Sequence, residues 1–362
     1  MLLAEAGSQP YPRLDIDRRR GICMPPRPVD ISLIISSRNR ACGLTNCLDA
    51  VSIAARQADY LRLELVFVDN GSTDETSDVV RQWASTAPIK TNLIYEAKPG
   101  LAVARNTGLN AARGRVLAFT DDDCEIFPDY FSTLAALFSS DTEMVMRGGR
   151  IELGDTRDLP VTIKPEMEPA VLSSELHAGG FIHGANMAFP HGLVEKIGFF
   201  DTRFGAGSPF RSGEDTDYVH RAFNAGVRVE YLPDFAVKHF HGRRELADIK
   251  RLQTGYAFGN GALYAKYLFD RRSNMRGMLR WEIRQALMEA IGRRKLNEEL
   301  GLTYRSQLRD NLTGMLAYWR GPKAKQPALG FASPPTESTR DSSRAKFDWI
   351  MHGRYGNCAR RA

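Results

Sequence analysis

From residue 31 onward, short apolar runs of strand length alternate with longer stretches whose apolar residues recur at helical spacing. Ile31-Ser32-Leu33-Ile34-Ile35-Ser36 reads as a buried strand, and after the turn-like Ser37-Arg38-Asn39-Arg40 the residues Leu44, Leu48, Val51 and Ala55 share one helical face. A second unit repeats this: Leu63 to Val68, a turn at Asp69-Asn70-Gly71-Ser72-Thr73-Asp74, then a helix carrying Val79, Val80 and Trp83. Asn92 to Tyr95 and a helix from Leu101 to Ala112 make a third. Val116-Leu117-Ala118-Phe119 opens a fourth and runs through Thr120 into Asp121-Asp122-Asp123. Alternation of this kind predicts an α/β fold of βαβ units with a mainly parallel sheet. Ligands of such sheets bind outside the carboxyl ends of the strands, which places Asn39, Asp69, Arg105 and Asp121 to Asp123 at one rim.

Downstream the pattern changes. Phe131 to Phe138 is helical and Met144 to Leu153 extended, residues 154–180 are proline-rich with weak periodicity, and Phe181 to Pro190 is extended around Gly184-Ala185-Asn186. Ser212-Gly213-Glu214-Asp215 leads into a helix that ends at Gly226, followed by strands at Val229 to Leu232 and Phe235 to Phe240, the latter continuing into His241. From Arg243 the chain turns helical, with one stripe of Leu246, Ile249, Leu252 and Tyr256 and another of Leu279, Ile283, Leu287 and Ile291. Gly259-Asn260-Gly261 is expected to interrupt the first of these helices.

The expected organisation is a flexible lead over 1–29, a catalytic domain over 30–242, a helical C-terminal extension over 243–320 and a mostly disordered tail over 321–362 with a short ordered piece at Phe347 to Met351. No run of 18 apolar residues is present, and Met1 to Glu5 are too soon interrupted by acid for a signal-peptide core, so a cytoplasmic location is expected. Five cysteines without CxxC or paired zinc-ligand spacing read as reduced thiols. The net charge of +6 is concentrated in arginine clusters outside the central region, such as Arg271-Arg272 and Arg293-Arg294-Lys295. They suit solvated helix faces, or else a basic amphipathic surface at the inner face of a membrane; nucleic acid is not an expected partner.

Each candidate residue has two readings in isolation. Three adjacent acids at a strand end fit a divalent cation or, equally, an acidic turn that caps the next helix. Asp69 can accept from a base or ribose, or merely form its turn; Arg105 can meet a base or phosphate, or pack as an exposed helix residue. Glu214 and Asp215 lie in a first helical turn, which favours negative charge for structural reasons and also suits a general base. His239 and His241 share one face of a strand, suitable for metal or phosphate, or for a satisfied core histidine. The GxGxxG dinucleotide fingerprint is absent after the first strand.

Taken together and in order, these segments resemble the family 2 glycosyltransferases. The resemblance runs from about Asp30 to His241 and rests on the Ile31 to Arg40 strand and loop, Val68-Asp69-Asn70-Gly71-Ser72-Thr73-Asp74, Gly100-Leu101-Ala102-Val103-Ala104-Arg105-Asn106, Asp121-Asp122-Asp123, Gly184-Ala185-Asn186, Gly213-Glu214-Asp215 and Val237-Lys238-His239-Phe240-His241. Ser36 departs from the proline common at that position. The resemblance implies a GT-A fold, a nucleotide-diphosphate-sugar donor (UDP-linked by expectation), a divalent cation (Mg2+ or Mn2+) and inversion at the anomeric carbon, with a saccharide or lipid-linked acceptor. By the same resemblance Ser37, Asn39, Asp69, Arg105, Asp121 and Asp122 serve the donor, Asp69 with Arg105 holding the nucleobase. Asp121, Asp123 and His239 serve the cation, Asp215 is the base, and Glu214 supports it. A non-catalytic nucleotide-sugar-binding or membrane-surface module with the same fold, and a magnesium-dependent phosphotransferase, are the competing readings.

Overall fold

Hydrophobic residues facing both ways along the first strand dictate the layering. β1 (Val29–Ser37) is buried almost throughout. Its Leu33 and Ile35 join one core with α1 (Leu44–Gln57) and α4 (Tyr130–Ser139), while Ile34 joins a second with α3 (Leu101–Ala111), α5 (Gly192–Ile197) and α6 (Glu214–Asn224). Helices therefore cover both faces of the sheet, which is why its central strands read as continuous apolar runs. The computed structural model describes residues 29–293, 295–297 and 301–321. The expected flexible lead and the tail beyond residue 321, including Phe347 to Met351, lie outside these.

Among the described residues one sheet is formed, with spatial order β3-β2-β1-β4-β8-β6-β9-β5. β1, β2 (Leu63–Asp69), β3 (Lys90–Tyr95) and β4 (Gly114–Asp121) pair in parallel, the arrangement the βαβ pattern predicts. β8 (Asn186–Pro190) then enters antiparallel to both β4 and β6 (Val145–Leu153), and β9 (Arg228–His239) runs parallel to β6. The two strands expected at 229–240 are one. Gly149 pairs with Leu232 and Arg150 with Ala236, so Pro233, Asp234 and Phe235 bulge out where a missing N–H does no harm. β5 (Cys124–Ile126), three residues long, pairs antiparallel with the end of β9, and β7 (Ala170–Val171) pairs with its start inside the otherwise irregular 154–180 segment.

Register assembles the rim. Ser37 lies opposite Asp69 across β1 and β2, and Ser36 opposite Asp121 across β1 and β4. Carboxylates far apart in sequence thus meet at the same sheet edge.

The C-terminal helices are α7 (Leu246–Tyr267), α8 (Met275–Ala290) and α9 (Tyr304–Arg320), and they share a core with Phe204 and Phe210. α7 is continuous: Gly259-Asn260-Gly261 does not interrupt it. A Cβ on Gly261 would collide with the Asn311 carbonyl of α9, and one on Gly314 with the Phe258 carbonyl of α7, so the glycines let two helix backbones touch. Because backbone cannot withdraw as a side chain can, Gly314→Val should lower stability by about 1–3 kcal/mol or more, read from denaturant midpoints; an unchanged midpoint would contradict this packing.

The second apolar stripe also faces the other way from a core stripe. Ile283, Leu287 and Ile291 are exposed, as are Leu312, Leu316 and Trp319 on α9. Buried in their place are Glu282, Gln285, Gln307 and Asn311. Three of them are linked by hydrogen bonds: the Tyr264 hydroxyl donates to Glu282 (2.7 Å), Gln307 and Asn311 also donate to it, and Gln253 donates to Gln307 (3.0 Å), while Gln285 Oε1 and Asn311 Oδ1 are left without a partner among the described residues.

Candidate active site at the sheet rim

The strand-end acids do not sit bare. Arg40 Nε donates to Asp122 (3.1 Å) and Arg40 Nη2 to Asp123 (2.5 Å), so the loop after β1 reaches across to the acids after β4. Burial pushes the Asp122 carboxyl up to about 6, with Asp123 and Asp121 beside it adding to the rise and the Ser37 hydroxyl and Arg40 opposing it. Burial also works against a charged Asp123, but the hydrogen bond from His239 and the nearby positive charges outweigh it and hold that carboxyl below its ordinary value. His239 Nε2 lies 3.3 Å from Asp123 Oδ1, while its Nδ1 lies 3.2 Å from the Thr162 carbonyl. A carbonyl can only accept, so Nδ1 carries a proton and Nε2 is the atom turned toward Asp123. Buried carboxylates in excess, with an imidazole aimed among them, are a donor set that a divalent cation would complete. His241 behaves as the core histidine of the pair: its side chain is fully buried, its Nδ1 accepts from the Arg243 N–H (3.0 Å), and burial pulls its pKa down to about 4.

Arg105, expected at the nucleobase, is 3% exposed and spans two acids: its Nη1 donates to Glu214 (2.9 Å) and its Nη2 to Asp121 (3.2 Å). Asp121 is thereby turned toward Arg105. The guanidinium lies flat against Gly184, where any Cβ would strike it; this accounts for glycine in Gly184-Ala185-Asn186. Burial, together with neighbouring Asp215, pushes the Glu214 carboxyl up to about 7 against the pull of Arg105. Asp215 is less buried. Its Oδ2 accepts from the Gly184 N–H (3.1 Å) and its Oδ1 from the Thr216 N–H (2.6 Å), which fixes the carboxylate's orientation.

Asp69 is 2% exposed and accepts from the Ser72 N–H (2.9 Å) and the Ser77 hydroxyl, shaping its own turn. Asn39 has a positive φ of 53° and laces its loop to the next, accepting from the Thr73 N–H and donating its own N–H to Ser72 (both 2.8 Å). Ser37 is buried beside Asp122, where its hydroxyl favours the charged carboxylate.

Asp215 opens into a cleft lined also by Thr162, His183, Ser212, Gln253, Tyr256 and Asn260. Three of these belong to α7, so the C-terminal helices build a wall of the site. Sequence reasoning found neither this wall nor Arg40. The signal for Arg40 was its place in the loop after the first strand; Asn260 carried one in its two flanking glycines.

Residues 32–198 match the family described as Glycosyl transferase family 2. The chain is similar to glycosyltransferase AglE of Haloferax volcanii, 26% identical over 247 residues that cover 67% of this chain and 76% of that protein. It is also similar to an uncharacterized glycosyltransferase of Nostoc sp., 34% identical over 46% of this chain and 52% of that protein. Among solved structures it resembles a mannosyltransferase of Pyrobaculum calidifontis in complex with GDP-Man and Mn2+, with a TM-score of 0.51, 22% identity, and coverage of 82% of this chain and 78% of the other. The shared fold is GT-A.

Proposed function

We infer that this chain, which belongs to glycosyl transferase family 2, moves a sugar with inversion from a nucleotide-diphosphate-sugar, UDP-linked, to an acceptor hydroxyl in polysaccharide, glycolipid or other glycoconjugate synthesis. The observation that carries this reading is the Arg105 bridge. It joins Asp121, at the end of β4, to Glu214, which lies 109 residues beyond Arg105, and so brings the acids of the donor rim beside Asp215 at the mouth of a cleft.

Asp215 is placed to take the proton of an acceptor hydroxyl as that oxygen attacks the sugar. The Gly184 and Thr216 N–H groups aim its carboxylate, and α7 supplies the polar groups that position the acceptor. Glu214, neutralised by Arg105 or by a proton, keeps a second full charge from competing with it. Asp123 and His239, with Asp121, would hold a Mg2+ or Mn2+ ion, which supplies charge stabilisation to the departing diphosphate. Ser37, Asn39 and Asp69 lie in the loops that would receive the nucleoside. A base on the face opposite the leaving group makes a single displacement, and hence inversion, the outcome.

Transfer assays with metal titration test this. Asp123→Ala is expected to weaken metal-dependent donor binding by about tenfold or more, as removing a cation-binding group should. An unchanged metal titration would take Asp123 out of the site.

The outward stripes of α8 and α9 support a second element of the proposal, contact with an anionic bilayer at the cytoplasmic face of the membrane. Ile283, Leu287, Ile291, Leu316 and Trp319 are exposed beside the exposed Arg280, Arg284 and Arg320. No described helix is long and apolar enough to cross a membrane. Co-sedimentation with anionic vesicles should fall several-fold in Leu287→Glu/Ile291→Glu and at high salt; binding indifferent to lipid charge would count against it.

A further inference from the structure

We propose that Asp123, Cys124 and His239 form a site for a thiophilic divalent cation, zinc or cobalt, in which the Cys124 sulfur is a ligand. Cys124 and His239 are direct cross-strand partners in the β5–β9 pairing, so their side chains project from the same face of the sheet. Potential ligand atoms of Asp123, Cys124 and His239 all lie within 4.8 Å of one another, a spacing compatible with three vertices of one tetrahedral ion. The His239 ring is already oriented as a ligand, with Nδ1 against the Thr162 carbonyl and Nε2 3.3 Å from Asp123. Cys124 is fully buried and closes the inner side, whereas the Asp123 side chain keeps 16% exposure and leaves a way in from solvent.

The donor set decides which cation it prefers. A carboxylate and an imidazole serve Mg2+ or Mn2+, but a sulfur in the same cluster shifts preference toward softer ions, and zinc and cobalt accept all three donor types. On binding, the S–H proton of Cys124 leaves to solvent as the S–metal bond forms, and the Nε2 proton that His239 gives to Asp123 leaves to solvent as the N–metal bond forms. The thiolate and the Asp123 carboxylate then balance the ion's two charges while His239 binds as the neutral ring. Such an ion would occupy ligands assigned above to the donor's cation, so zinc would compete with Mg2+ or Mn2+ for Asp123 and His239. This inference rests on the metal reading of the rim, and the two are distinguishable.

Cobalt titration of the full chain provides the test, because a Co2+–thiolate bond gives a near-ultraviolet charge-transfer band independent of any turnover. The expected result is a band that saturates at one equivalent, is erased by Zn2+, and is lost in Cys124→Ser, with Co2+ affinity falling about tenfold or more. Cys42→Ser, which removes an exposed thiol, should keep the band, and so should Cys47→Ser, although Cys47 is buried nearby with its sulfur 3.8 Å from the Asp121 carbonyl. Absence of a band in the wild-type chain, or its survival in Cys124→Ser, overturns the proposal. Should Cys124→Ser fail to fold by circular dichroism, Asp123→Asn and His239→Gln decide: both must weaken the band, and undiminished bands overturn it. Mn2+-dependent donor binding without a cobalt–thiolate band would remove only the thiolate site. A thiolate band without Mn2+-dependent donor binding would remove only the donor-cation reading.

Discussion

Asp215→Asn should lower sugar transfer by roughly 100- to 10,000-fold while leaving donor binding within about twofold, the pattern for losing a general base rather than a binding contact. The reason lies in how the carboxylate is held. Backbone N–H groups of Gly184 and Thr216 occupy one lone pair on each oxygen and leave the group facing the cleft, so an amide of the same size can accept from only one of them and cannot accept the acceptor's proton. Glu214→Gln makes the informative comparison. Glu214 is sealed against Arg105 and is already pushed toward the neutral form, so an uncharged isostere there should cost less transfer than the same change at Asp215. Equal losses at both positions would mean that Glu214 takes part in proton transfer; near-normal turnover of Asp215→Asn would move the base elsewhere.

The largest expected loss of stability belongs to a residue outside the reaction. Asp217, one turn into α6 and fully buried, receives Lys266 Nζ (2.5 Å), the Tyr267 hydroxyl (2.7 Å) and Arg221 Nε (2.9 Å), and Lys266 also reaches Asp201 (2.9 Å). This cluster fastens α7 to the base-bearing helix. Asp217→Ala leaves Lys266 with Asp201 alone and takes from Arg221 and the Tyr267 hydroxyl the carboxylate they share, and removing one partner of a buried ionic cluster costs about 3–5 kcal/mol, most of it the penalty on the charges left behind. Urea or thermal unfolding measures it. Burial opposes a charged Asp217, but Lys266, Arg221 and Tyr267 overcome this and hold its carboxyl well below the ordinary range. A depressed pKa contributes stability that is present above the unfolded value of about 4 and is lost as pH falls toward the folded value. Wild-type stability should therefore fall on acidification below about pH 4 more steeply than that of Asp217→Ala; parallel curves would contradict the linkage.

The contrast between these residues bears on what a sequence displays. Strands β1 to β4 and helices α1, α3 and α6 were legible because local periodicity and turn chemistry agree with their final burial. The rim was legible because a parallel sheet puts every strand's carboxyl end on one side, so Asp69, Asp121 to Asp123 and Asn39 had to converge. The partners of those groups were not. Arg40 reaches Asp122 from 82 residues away, and Arg105 turns to Glu214 from 109, contacts that no local pattern encodes. Gly259-Asn260-Gly261 looked like a break because glycine weakens a helix, but close packing of α7 on α9 outweighs that propensity. In α8 periodicity found an apolar stripe and could not tell its direction. Glu282, Gln307 and Asn311 can be buried because they hydrogen-bond among the helices, which leaves Ile283, Leu287, Leu312 and Leu316 outside. β5 is too short for any periodicity to register, yet it sets Cys124 opposite His239.

Thermal unfolding across a panel of nucleotide-diphosphate-sugars, each with and without Mn2+, tests the central claim most directly. At least one donor should raise Tm in the presence of the cation and not in its absence, and Asp123→Ala should abolish that increment while Asp215→Asn retains it; at 100 times Kd the stabilisation corresponds to about 2.7 kcal/mol. A panel in which no nucleotide sugar raises Tm, with or without the cation, would contradict the assignment of the rim as a donor site.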